Sequence, residues 1–116
     1  MKCEQITQNL VVYRGTTPQY ELRVTKNGSA VDITGWTVFL TVKEKMSDDD
    51  NAAIIKKDIT SHLDATGGKS LIELTTTDTN RVGSFYYDIK IKTDDGQVFL
   101  VVRGRMNFEA TATQRG

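Results

Sequence analysis

Ser84-Phe85-Tyr86-Tyr87-Asp88-Ile89-Lys90-Ile91-Lys92 alternates strictly: Phe85, Tyr87, Ile89 and Ile91 share one face, and Tyr86, Asp88, Lys90 and Lys92 the other. A period of two sustained along this run is the pattern of an antiparallel strand with one side on a core and one in water. Thr93-Asp94-Asp95-Gly96-Gln97 follows directly, and its Asp-Gly pair suits a tight hairpin into the next run, Gln97 to Phe108. Within that run, Gly104 predicts a bulge, or a bend where the strand changes partner.

Upstream the same alternation returns. Gln19 to Thr25 sets Tyr20, Leu22 and Val24 against Glu21, Arg23 and Thr25, while Trp36 to Lys43 turns Trp36, Val38, Leu40 and Val42 inward. Leu10 to Arg14, Ile54 to Lys57 and Ser70 to Thr75 are shorter strand candidates. Asn27-Gly28 predicts a second hairpin, leading into Ala30-Val31. No segment holds a sustained helical period, although Lys43 to Ile55 has room for one short helical turn. About seven short strands in 116 residues predict an all-β, immunoglobulin-like antiparallel β-sandwich, with a small antiparallel β-barrel as the alternative. Pro18 is the one proline and no low-complexity linker intervenes, so residues 1–116 are expected to form a single domain.

Composition works mainly by exclusion. Fifteen Lys and Arg balance fifteen Asp and Glu, and binding to nucleic acid is driven by a positive surplus that releases counterions. No nucleic-acid partner is expected. No apolar stretch approaches the roughly 18 residues of a membrane span. Met1 to Gln5 also lacks a signal-peptide hydrophobic region, so synthesis in a cytoplasm and no membrane partner are expected. Cys3 stands alone, which rules out an internal disulfide framework, and it lacks the partner motif of a reactive thiol.

Candidate chemistry is sparse. His62 is the single histidine, so no His-based metal cluster forms within one chain; it reads as a solvated loop residue beside Asp58 and Asp64. Ser61 or Ser70 would complete a Ser-His-Asp arrangement, but neither lies in a Gly-x-Ser-x-Gly elbow. Gly67-Gly68-Lys69-Ser70 has the residue order of a phosphate loop but lacks the first glycine at the required spacing. It leads into Leu71-Ile72-Glu73-Leu74, a strand pattern where a helix is needed. Asp48-Asp49-Asp50-Asn51 and Asp94-Asp95 read as solvated loops, because calcium demands alternating oxygen ligands around a glycine turn. Nothing in the placement of the carboxylates favours a glycosidase pair. No catalytic, cofactor-binding or metal-binding residue is assigned.

Four residues are candidates for an interface. Phe39 and Tyr86 break the alternation by standing on outer faces, where aromatics plug partner pockets or stack on sugars. Arg103 and Arg105 flank Gly104 and suit acidic groups on a neighbouring subunit. The alternative function is a carbohydrate-binding or host-adhesion module that meets a surface glycan through Trp36, Phe39 or Tyr86. A small hydrolase around His62 is the third reading.

The order of the turn motifs carries more than any one of them. Val12-Tyr13-Arg14-Gly15-Thr16-Thr17-Pro18 comes first, then Val31-Asp32-Ile33-Thr34-Gly35 leading into a strand. Asp78-Thr79, Gly83-Ser84-Phe85-Tyr86-Tyr87-Asp88-Ile89, Asp95-Gly96-Gln97-Val98 and Arg103-Gly104-Arg105-Met106 follow. This series resembles the small immunoglobulin-like domains of tailed-phage and prophage virion proteins, most of all the N-terminal domain of the siphophage upper baseplate protein. The likeness runs from Leu10 to Ala110.

The resemblance implies a non-enzymatic structural protein of the virion without cofactors, made in the host bacterial cytoplasm. Such a sandwich docks onto a symmetric tail or baseplate core and carries host-recognition parts outward. Its partners are other virion proteins, with a homo-oligomer or multiple copies per particle. Trp36 departs from the pattern, which usually has a small residue there. Family members continue into a helical stalk and further domains, so a chain ending at Gly116 fits a minor tail, neck or capsid-decoration component.

Overall fold

The structure is a computed structural model and describes residues 6–115. Cys3 lies outside the described residues. The strands in chain order are β1 (Ile6–Thr7), β2 (Leu10–Tyr13), β3 (Gln19–Arg23), β4 (Thr25–Lys26) and β5 (Ser29–Ala30), then β6 (Thr37–Lys43), β7 (Ile55–Ile59), β8 (Lys69–Glu73), β9 (Gly83–Lys92) and β10 (Val98–Glu109). A single 3-10 turn at Asp50–Ala52 falls in the segment with room for one helical turn. Among the described residues no helix is long and apolar enough to cross a membrane.

β9 and β10 form the predicted long hairpin, closed by the Thr93 N–H to Gln97 oxygen bond of 2.8 Å. β6 pairs antiparallel with β9, and β7 pairs antiparallel with β6. At the opposite edge β1 and then β2 run parallel to β10. β3 and β8 make a separate two-stranded sheet, and Asn27-Gly28 turns the small β4–β5 hairpin. With β1 and β2 counted as one interrupted strand, this is the all-β sandwich expected from the alternation, the large sheet curling over the small one.

Alternation fixes which faces meet. Val38, Leu40 and Val42 of β6 and Tyr87, Ile89 and Ile91 of β9 are buried, as are Met106 and Phe108 of β10. They pack with Ile72 and Leu74 from the small-sheet side, and with Ile33 and Trp36 from the loop before β6. Burying each such side chain contributes about 1.5–3 kcal/mol, so the core is the main source of stability. Phe85 meets Phe108 edge-on, with ring centroids 5.5 Å apart.

β10 departs from expectation in one detail. The register with β9 shifts between Leu100 and Val102, while Gly104 itself stays in register with Tyr87. Gly104 marks the other expected event, the change of partner, since β10 passes from β1 to β2 beside it. There the Gln8 carbonyl presses against the Gly104 backbone, where no side chain fits.

Tyr87 secures the same crossing. Its hydroxyl donates to the Gln8 carbonyl at 2.6 Å, while its ring is 3% exposed. Burial, with a smaller contribution from Tyr20, pushes the phenol up from 10.0 to about 12. In the unfolded chain the phenol ionises near its ordinary value of 10.0, whereas the folded one holds its proton up to about 12. Stability from this group is therefore complete below pH 10 and falls as pH rises toward 12, by ~1.4 kcal/mol per unit. Urea melts across that range should show the loss, and Tyr87→Phe should flatten it; an unchanged slope would contradict the burial assignment.

Candidate functional site

Cross-strand partners in a sheet share a face, so register places the four interface candidates. Phe39 lies opposite Lys90, Lys43 opposite Tyr86, Tyr86 opposite Arg105, and Asp88 opposite Arg103. Phe39, Tyr86, Arg103 and Arg105 thus all stand on the outer face of the large sheet, away from the core. Among the described residues no strand crosses this face. The β6–β7 loop reaches one corner of it, where Lys43 Nζ pairs with Asp50 at 2.9 Å and donates to the Asp48 carbonyl at 2.8 Å. That bond holds the Asp50 carboxyl below its usual range and raises Lys43.

Phe39 and Lys43 are four residues apart on β6, which spans ~13 Å at the rise of a strand. Phe39 and Tyr86, together with Thr41 and Asp88, line a shallow groove of about 320 Å³, and the exposed Met46 sits on its rim. Asp88 is half-buried in this groove; burial pushes its carboxyl up, against the pull of Lys90 and Lys43. Arg105 is held in place. Its guanidinium lies 4.0 Å from the Tyr86 ring centroid and donates to Ser84 Oγ at 3.1 and 2.7 Å. Ser84 Oγ in turn donates to Asn107 Oδ1 at 2.6 Å. Arg103 is exposed and enters no ion pair among the described residues.

A second cleft, about 390 Å³, opens between the sheets beside β3, lined by Leu10, Tyr20, Leu22, Val102 and Met106. Its position reflects the narrowness of the small sheet, which falls short of covering the large one.

Three expectations change. His62 is a tether, not a solvated loop residue: Nε2 donates to the Trp36 carbonyl at 2.8 Å, and Nδ1 meets Ser70 Oγ at 2.9 Å. The carbonyl accepts only, so Nε2 carries a proton, and in the neutral ring Nδ1 accepts from the serine. Ser70 is 0% exposed, which leaves its hydroxyl out of a substrate's reach, and Nε2 faces a carbonyl where a triad has a carboxylate. Trp36 is 8% exposed and belongs to the core, so it offers no stacking platform; one face of Tyr86 is taken by Arg105. The acidic run is also more structured than a solvated loop, since Asp48 accepts from the Lys45 N–H at 3.1 Å and Asp50 holds Lys43. Gly67-Gly68-Lys69-Ser70 does open a strand, as expected. Among the described residues no group of three or more His, Cys, Asp or Glu side chains is placed to hold a metal ion.

The alternation of β9 exposes Lys90 and Lys92, but only the register shows that they share a face with Arg103, Arg105 and Lys56. That grouping escaped the sequence reading.

The described geometry is that of an all-β sandwich whose large sheet leaves its outer face uncovered among the described residues. A family model for the BppU N-terminal domain matches residues 3–114. The chain belongs to that family, a domain of the phage upper baseplate protein, and the resemblance read from the turn motifs is borne out. No curated protein sequence matches the chain. Among solved structures, it is similar to the N-terminal domain of phage TP901-1 ORF48, with 12% identity, 94% of this chain and 99% of that chain covered, and a TM-score of 0.55. CopC from Methylosinus trichosporium OB3b follows at 11% identity, 91% and 90% coverage and a TM-score of 0.48. At its identity the first of these is a likeness of fold alone.

Proposed function

We propose that this chain is a non-enzymatic docking domain of a phage baseplate, held in the virion in several copies and made in the host bacterial cytoplasm. Phe39, Tyr86, Arg103 and Arg105 on the outer face of the large sheet meet another virion protein. One observation carries the reading: these four side chains, scattered in sequence, share the outer face of the large sheet, which no other layer covers among the described residues. Aromatic and arginine side chains are the types that dominate interface energetics. A rigid sheet holds them at fixed spacing, so little ordering entropy is lost on contact.

The double variant Phe39→Ala/Arg103→Ala removes two outer-face side chains and should leave the core intact. Each such anchor is worth about 2 kcal/mol, so its copy number in purified virions should fall at least ~10-fold beside co-expressed wild type. Equal incorporation, or absence of the wild-type protein from virions, would sink the proposal. Glycan binding lost in Phe39→Ala with incorporation unchanged would move the reading to host adhesion.

A further inference from the structure

The whole chain is neutral, but its charges are not evenly placed. The outer face of the large sheet gathers Lys43, Lys56, Lys90, Lys92, Arg103 and Arg105, against the three carboxylates Asp58, Asp88 and, at the far end of β10, Glu109. Even with Asp50 set against Lys43, the face keeps two positive charges in excess. The outer face of the small sheet is balanced, Glu21 and Glu73 against Arg23 and Lys69. The compensating carboxylates stand in separate turns, among them Asp32, Asp64 and the Asp94-Asp95 pair. Among the described residues no sheet face is therefore acidic.

We infer that the outer face docks against an acidic surface of a different virion protein, a conclusion that rests on the docking reading above. Complementary potential steers encounter and fixes register, and Phe39 with the Tyr86–Arg105 stack supplies the apolar contact at the centre. A second copy of this chain offers no matching flat acidic surface. Duplex nucleic acid fits poorly, because Asp58 and Asp88 lie among the cations and would face phosphates.

Zero-length carbodiimide coupling joins a lysine amine to a carboxylate only where the two touch, so it reads both surface and chemistry. Applied to purified virions carrying the full chain, it should link Lys90, Lys92 or Lys56 to Asp or Glu of another virion protein. The intramolecular Lys43–Asp50 and Lys57–Asp78 pairs, at 2.9 and 2.7 Å, serve as internal controls. Lys90→Glu/Arg103→Glu should cut the intermolecular links at least ~10-fold while leaving both controls, in line with charge pairs that dominate register. Links from this chain to other proteins only through Lys26 or Lys69 would overturn the inference and leave docking standing. Links from the outer face to a second copy would overturn it as well. Binding of a 20-base-pair duplex DNA at physiological salt, abolished by the same double variant, would assign the face to nucleic acid instead. Absence of the protein from virions would defeat the docking reading itself.

Discussion

Gly68→Ala is expected to lower stability by ~3 kcal/mol or more, combining left-handed backbone strain with displacement of packed backbone. Gly68 is buried with φ of +73°, and a Cβ there would lie 2.6 Å from both the Val24 and Val31 carbonyl oxygens. Neither neighbour is a side chain able to rotate away. Val24 donates its N–H to the Gly68 carbonyl at 2.8 Å, and Val31 donates to the Val24 carbonyl at 3.0 Å. Room for the methyl group therefore comes only by separating the end of β3, the exit of the β4–β5 hairpin and the start of β8. For a domain of this size the change should lower Tm by at least ~10 °C. Urea denaturation showing a loss under ~1 kcal/mol would mean that this junction is looser than described.

Gly104→Ala attacks a different joint. A Cβ at Gly104 would fall 2.7 Å from the Gln8 carbonyl carbon and far inside contact distance of its oxygen. The N-terminal strand must then lift from β10, breaking the Gln8 N–H to Arg103 carbonyl bond of 2.9 Å and the Tyr87 hydroxyl bond. A destabilisation of ~2–4 kcal/mol is expected, with a local signature. Amide exchange should accelerate at Gln8 while Ile89 and Ile91, in the middle of the large sheet, stay protected. Uniform loss of protection would mean that β1 and β2 are integral to the core and not a separable edge.

The strands were legible because their signal is local. Period-two alternation in β9, β6 and β3 names the buried face without any knowledge of partners, and Asp95-Gly96 places the hairpin. What sequence hid was long-range. His62 finds its partners eight residues away at Ser70 and 26 residues back at Trp36, so nothing near it in the chain marks it as a tether. The shift in β10 falls at Leu100 to Val102, where no glycine or proline flags it, while Gly104 answers to the approach of Gln8 from the other end of the chain. Trp36, read both as inward and as a sugar platform, lies just before β6 and is buried with the inward side of its alternation. For the candidate site, the outward direction of Phe39 and Tyr86 was readable from one strand each. The cationic grouping needed the registers of β7, β6, β9 and β10 together.

The most direct test of the docking account is hydroxyl-radical footprinting of the protein free and in intact virions. Phe39, Tyr86 and Met46 should lose reactivity on assembly, while Leu63, exposed at 60% in the loop between β7 and β8, should keep its own. Unchanged oxidation of Phe39 and Tyr86, with protection at Leu63, would place the contact elsewhere and contradict the account.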